Sequence, residues 1–461
     1  MTMTPQQIVD RCLELTKADG CVVLVDESHS ANLRWANNTL TTNGIMRSRS
    51  VTVIATIDGG TGTSSGVVAR SAVTLDTLEP LVRAAEQAAR DNGPADDAQP
   101  LVTGSAAADW TDEPGETSMA VFGDIAPGLG DAFGRARSAD RVLYGYVEHD
   151  VTTTYLGSSS GLRRRHVQPT GHIGITGKSG DLSRSAWVGQ ASRDMTDVDV
   201  AKLNAELTRR LGWAQRRLDL PAGRYDTVLP PTAVSDLMIY VYWVMSARDA
   251  HDGRTVFSKA GGGTRVGERL SRHPVTLSSD PAASGMQCAP FVVAHASGAH
   301  QSVFDNGLPI SHTEWISGGT LNALQQTRHS TTLTGLEMTP MVDNLAMSVA
   351  GATGTADDLV AGVERGLLLT CLWYIREVDP QVLLLTGLTR DGVYLVENGE
   401  VVGSVNNFRF NESPVSLLDR FSQAGATLPA FSREWGDYFP RTAMPALRVP
   451  DFNMSSTSQA A

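Results

Sequence analysis

Peptide-bond hydrolysis by a helix-borne metal needs two imidazoles one turn apart, a carboxylate beside them to deprotonate the bound water, and a third ligand from elsewhere. The ten histidines of this sequence (29, 149, 166, 172, 251, 273, 295, 300, 312 and 329) form neither HExxH nor HExxxH. The closest pair, His295 and His300 in VVAHASGAHQS, flanks an Ala-Ser-Gly turn with no Glu or Cys beside it, so ordinary turn histidines are the stronger reading. Glu148-His149-Asp150 resembles an acid–base cluster, but along a strand its members alternate between faces and at most two share a site. Cys12, Cys21, Cys288 and Cys371 lack CxxC spacing, which points to reduced, buried thiols rather than a disulfide framework or a thiolate zinc site. With no GxSxG elbow and no Cys–His pair close in sequence, nucleophilic catalysis has no support either.

The most unusual stretch is FSKAGGGTRVGER, residues 257–269. Gly261, Gly262 and Gly263 permit close approach of another backbone, and glycines beside a cation can cradle phosphate. A phosphate loop also needs a buried strand before it and a helix opening on Lys-Ser/Thr after it, and neither is evident. The preferred expectation is a glycine-lined edge that accepts an extended peptide or packs on a partner's backbone, with Arg265, Glu268 and Arg269 fixing the strand ends.

The elements that must position these residues are marked by periodicity. Helical spacing predicts a first helix over 4–18 and further helices over 75–91, 116–136 and 197–217. Between the first two, CVVLVDES, ANLRWANN, LTTNGIMRSRS and SVTVIATIDGG read as a four-run antiparallel meander broken at Asn-Asn, Asn-Gly and Gly-Gly. The Pro-, Asp- and Gly-rich stretch 92–115 reads as a loop. Residues 141–189 alternate strand-like runs with turns, and the basic run Arg163-Arg164-Arg165-His166 falls there as a solvated face. Leu220 to Gly223 reads as a linker, followed by a strand over 224–229 and a helix opened by Pro230-Pro231. Beyond residue 250, HPVTLSSD, APFVVAH and the long run from Val382 to Phe410 predict short strands, with Arg390-Asp391-Gly392 and Asn398-Gly399 as turns. The expected fold class is therefore α+β: an N-terminal mixed domain with an antiparallel sheet over 1–220, a β-rich domain over 221–450, and a disordered tail over 451–461.

A chain of 461 residues suits two or three domains, and apolar and charged fractions of 41% and 19% are those of a soluble globular protein. No run of about 18 apolar residues is present to span a bilayer, and the first residues lack a secretory signal's basic and apolar regions. The expectation is a cytoplasmic protein without a membrane role. A net charge of −12 repels phosphate backbones, so nucleic acid is not an expected ligand.

Several segments carry a family resemblance: RWANNTLTTNG, LPPTAVSDLMIYVYW, ARDAHDGRTVFSKAGGGTRVGERLS and WYIREVDPQVLLLTGLTRDGVYLVENGEVVGSVNNFRFNESP. Together, from about residue 5 to 450, they resemble the TldD/TldE (PmbA) peptidase family. In that family the TldD subunit carries HExxxH on a helix near the start of its second domain, with a cysteine further on as a zinc ligand. The corresponding helix here reads Ile239-Tyr240-Val241-Tyr242-Trp243-Val244, without imidazole or carboxylate, and Cys371 does not fall in the family's glycine-rich context. The resemblance therefore implies a TldE-like subunit, without metal or catalytic residues of its own, whose TldD-type partner supplies zinc, activated water and general base. Its own part would be to complete a tunnel that holds unfolded peptide. The alternatives are a peptide-binding or scaffold homodimer without such a partner, and a metallopeptidase with scattered ligands such as His251 or His295. A family association with DNA gyrase gains no support from the acidic charge.

Overall fold

The computed structural model describes residues 3–458. Its first half is built on a six-stranded, wholly antiparallel sheet of β1 (Gly20–Ala36), β2 (Thr39–Gly59), β3 (Gly62–Ser71), β4 (Arg141–Ser158), β5 (Arg163–Ser179) and β6 (Ser185–Ser192), ordered β3-β2-β1-β4-β5-β6. Strict alternation along β1 and β4 sends odd-numbered side chains to one face. On that face α1 (Pro5–Leu15) and α2 (Leu75–Asp91) bury Ile8, Val9, Leu78 and Leu81 against Val23, Val25 and Val53. Further along the same face, α3 (Ile125–Ser138) and α4 (Val200–Trp213) bury Leu129, Phe133 and Leu207 against Trp35, Val147 and Ile173. The opposite face is apolar at one end, where Val22, Leu24 and Leu156 meet Phe291 and Phe304, and polar in the middle, where Ser30, Asn32, Glu148 and Asp150 stand side by side.

The expected four-run meander is two long strands. Asn37 and Asn38 both adopt positive φ and turn the chain, whereas Asn43 and Gly44 lie within β2 opposite Leu33 and Asn32. An Asn-Gly pair turns only where the chain can fold back, and here the uninterrupted β1 holds it straight. The basic run opens β5 and is more than a solvated face: Arg163 pairs with Asp10 at 3.0 Å, and Arg165 with Asp109 at 3.4 Å.

The second half is β-rich. A six-stranded sheet contains the strands Val275–Ser279, Thr313–Ser317, Leu345–Val349, Thr442–Met444 and, at one edge, Leu428–Ala430. A ten-stranded sheet contains Gly223–Leu229, Arg365–Leu369, Leu384–Leu388, Val393–Glu397, Glu400–Val405, Phe408–Glu412 and Leu447–Thr457. Helix α5 (Pro231–Trp243) shares one core with both, packing among Leu277, Trp315, Leu345, Leu367, Phe408 and Phe452. A helix apolar on nearly all sides is stable only when enclosed in this way.

Three expectations are corrected. APFVVAH forms only an isolated bridge between Phe291 and Pro309, because Pro290 removes a donor and the chain bends to bury Phe291 under the first sheet. The turn at Asp391-Gly392 joins strands that are not neighbours: Leu384–Leu388 pairs with Phe408–Glu412, and Val393–Glu397 with Arg365–Leu369. The tail does not fray from Asp451. Residues 451–457 continue a strand between Gly223–Leu229 and Phe408–Glu412, with Phe452 and Met454 fully buried, and the last three residues lie outside the described ones. Among the described residues, no helix is long and apolar enough to cross a membrane.

Candidate functional site

Helix α5 begins with Pro231 at its first turn, where a missing N–H costs nothing. Ile239, Val241 and Tyr242 are fully buried, and the Tyr242 hydroxyl both donates to the Val342 carbonyl and accepts from the Val342 N–H, at 2.8 Å each. Tyr240 and Trp243 pack against Trp435, with ring centroids 5.9 and 5.0 Å away. This segment is core.

One turn earlier lies a carboxyl group to which the sequence reading assigned no role. Asp236 is fully buried; its Oδ1 accepts from the Ser432 hydroxyl and, at 2.9 Å, from the Glu434 N–H, while its own carbonyl accepts from Trp435 Nε1 at 3.0 Å. Burial outweighs these bonds and pushes its pKa up to about 7, and Oδ2 has no hydrogen-bond partner. Asp236 thereby pins the turn carrying Phe431 and Arg433. The Arg433 guanidinium lies over two indoles, 3.8 Å from the Trp373 ring centroid and 5.0 Å from that of Trp187 on β6. Cys371 is buried in the same cluster, and desolvation pushes its thiol up to about 12, the behaviour of a buried thiol.

Glu148 and Asp150 do share a face, as alternation demands; burial, reinforced by Glu148, holds the Asp150 carboxyl above its usual range. His149 points the other way, contacting Thr117 Oγ1 at 2.7 Å and the Arg193 carbonyl at 3.1 Å. His295 lies 3.5 Å from Asp26, and His300 contacts Gln325 at 2.6 Å, so the two rings serve different networks. Among the described residues, no three His, Cys, Asp or Glu side chains come together as a metal-holding group.

Gly261, Gly262 and Gly263 form a turn, all at positive φ, closed by the Lys259 N–H to the Gly263 carbonyl at 2.9 Å, with Gly261 and Gly262 exposed and Gly263 half-buried. A Cβ at any of the three would meet nothing within 4 Å, so within this chain their role is conformational. Arg265 pairs with Glu268 at 2.8 Å and donates to the Val256 carbonyl, and Arg269 donates to the Arg272 carbonyl. The structure brings Arg265 and Glu268 together and leaves Arg269 apart from that pair.

One cleft that could receive a ligand lies elsewhere. A cavity of about 550 Å³ opens between β6 with the loop after it, the Ser284–Gln287 loop, and the Pro429–Phe431 and Pro440–Ala443 segments. Phe431 forms one wall, stacked on His172 with centroids 5.2 Å apart. Gly189 makes room for it: a Cβ there would come within 2.8 Å of the Phe431 ring.

Two family models match the chain, one described as the PmbA/TldA metallopeptidase C-terminal domain over residues 222–456 and one as domain 1 of the same family over 21–90. Three solved structures share the fold. TldE from Thermococcus kodakarensis is 15% identical with a TM-score of 0.77, covering 97% of this chain and 98% of its own. A protein from Thermotoga maritima, described as a candidate modulator of a DNA gyrase, is 16% identical with a TM-score of 0.77 and covers 98% and 100%. One from Bacteroides thetaiotaomicron with the same description is 15% identical with a TM-score of 0.75 and covers 98% of each chain. No curated protein sequence matches.

Proposed function

Since the chain belongs to the PmbA/TldD/TldE metallopeptidase family, we propose that it is the non-catalytic, metal-free subunit of a two-subunit zinc peptidase and helps to hold unfolded peptide for its partner. The observation that carries this reading is helix α5. Where the family resemblance places zinc ligands, this chain has Ile239, Val241 and Tyr242 buried in core and Tyr240 and Trp243 packed on Trp435. Side chains so committed are not free to turn toward a metal. A TldD-type subunit with HExxxH would supply zinc, the activated water and the general base. The Gly261–Gly263 turn, where a Cβ at any of the three residues would meet nothing within 4 Å, is the proposed point of backbone contact with that subunit.

Elemental analysis tests the assignment of the metal. Purified separately after zinc loading and dialysis, the HExxxH-bearing homologue is expected to retain zinc in a one-to-one ratio and this chain to retain none. Stoichiometric zinc on this chain would instead favour scattered ligands.

A further inference from the structure

Arg165, Arg210 and Arg441 are enclosed arginines, and each reaches a carboxylate: Asp109 at 3.4 Å, Glu206 at 2.7 Å, and Asp343. Arg433 does not. Among the described residues, none accepts a hydrogen bond from its guanidinium, no carboxylate lies within ion-pairing distance, and its Nε is shut off from solvent without a partner. Burial holds its pKa below the ordinary arginine value, although Cys371, Asp236, Asp391 and Asp437 pull the other way from further off. The indoles do not make up the deficit, since a ring attracts the flat face of a guanidinium and leaves the N–H groups around its edge unengaged. Withdrawing an unpaired charge from water is costly, and an anion arriving at that edge recovers part of the cost.

The guanidinium is also held in place. Asp236 fixes the backbone on either side of it, through the Ser432 hydroxyl and the Glu434 N–H, and the Glu434 carboxylate accepts from the Ile375 N–H at 3.2 Å. Trp373, 3.8 Å from Arg433, is itself anchored by its Nε1, which donates to the Arg390 carbonyl at 3.2 Å; the Arg390 guanidinium lies 5.0 Å from the same ring. We propose that Arg433, with Arg390 beside it, is a binding site for a carboxylate carried by a polypeptide. A planar carboxylate matches the guanidinium fork through two parallel bonds and fits alongside flat indoles, whereas a phosphate dianion would be repelled more strongly by Asp391 and Asp437. The place in the fold points to a polypeptide as the carrier. Phe431, two residues before Arg433, walls the cleft, and Trp187 stands two residues from the cleft-lining Gly189, about 6.7 Å along β6. The inference rests on the peptide-holding reading for what brings the carboxylate; the site itself stands on the unpaired guanidinium.

The test uses the full chain and a fluorescein-labelled, unstructured peptide of Ala, Ser and Leu in three forms: with a free C-terminal carboxylate, amidated, and amidated with one internal Glu. By fluorescence anisotropy, the free acid, the Glu-bearing amide or both are expected to bind at least about tenfold more tightly than the plain amide, the effect of one charged bidentate contact. Which of them does so assigns the carboxylate to a chain terminus or to a side chain. Arg433→Gln is expected to bring that ratio to about one, and Arg433→Lys, which keeps the charge without the fork, to retain only about threefold. A purely structural role for Arg433 would change all three affinities together and keep their ratio. Phenylglyoxal labelling of the unaltered chain, mapped by mass spectrometry, needs no variant: the tight-binding form should slow modification of Arg433 and the plain amide should not. Equal affinity of all three forms, a ratio unchanged in Arg433→Gln, or equal labelling with either form would each overturn the carboxylate site and leave the peptide-holding reading standing. Binding of no form would remove both.

Discussion

Asp236 gives a pH-dependent prediction with a definite sign. Its folded pKa of about 7 stands well above the ordinary 3.8, so between those values the folded chain keeps a proton that the unfolded chain has released. The folded state therefore loses stability, through this group alone, as pH rises from about 4 through about 7. Working the linkage from those two values, the loss between pH 5 and pH 8 is about 2–3 kcal/mol. Asp236→Asn keeps the carbonyl oxygen that accepts from Ser432 and Glu434 and mimics the neutral acid, so it should abolish this component. The assay is equilibrium urea unfolding followed by tryptophan fluorescence, for both proteins at pH 5 and pH 8. Taking the difference between the proteins at each pH cancels the other titrating groups. The variant is expected to gain about 2–3 kcal/mol relative to the parent on going from pH 5 to pH 8. An equal difference at the two values would refute the assignment of a raised carboxyl to this position.

Three further outcomes follow from burial and pairing. Phe452→Ala removes a fully buried ring from the strand first read as a frayed tail, and should cost about 3–5 kcal/mol in urea unfolding, where a truly frayed residue would cost nothing measurable. Arg328 pairs with the buried Asp305 at 2.6 Å, so Arg328→Ala strands a carboxylate and should cost about 3–5 kcal/mol; Arg328→Ala combined with Asp305→Ala should recover part of that loss. All four thiols are buried, and burial pushes Cys371 up to about 12. Ellman's reagent should accordingly label no cysteine rapidly in the native chain and all four after denaturation.

Much of the architecture was legible because its signals are local. Leu75–Asp91 appears over its full predicted length because its apolar positions recur at helical spacing, and Pro230-Pro231 marks the start of α5. Asn398-Gly399 turns between two strands that do pair, as its composition requires. The failures have a shared physical origin. Asn43-Gly44 is held straight by β1, a partner some ten residues away in sequence, and the strand over 451–457 exists because two distant strands receive Phe452 and Met454. Composition alone made that segment look too polar to order, although its Phe-Asn-Met alternation is a strand period. The cleft left no sequence motif, since its walls come from residues 168–197, 284–287 and 429–443. Asp236 went unread because a lone aspartate in an apolar helix gives no sign of the Ser432 to Trp435 turn that it holds.

The central claim is that this chain serves proteolysis without performing it. The most direct measurement is hydrolysis of an unfolded polypeptide by this chain alone, by the HExxxH-bearing homologue alone, and by the two mixed, with a chelator added in parallel. Full activity only in the mixture, abolished by chelation and absent from this chain alone, is the predicted result. Chelator-sensitive hydrolysis by this chain alone would contradict it.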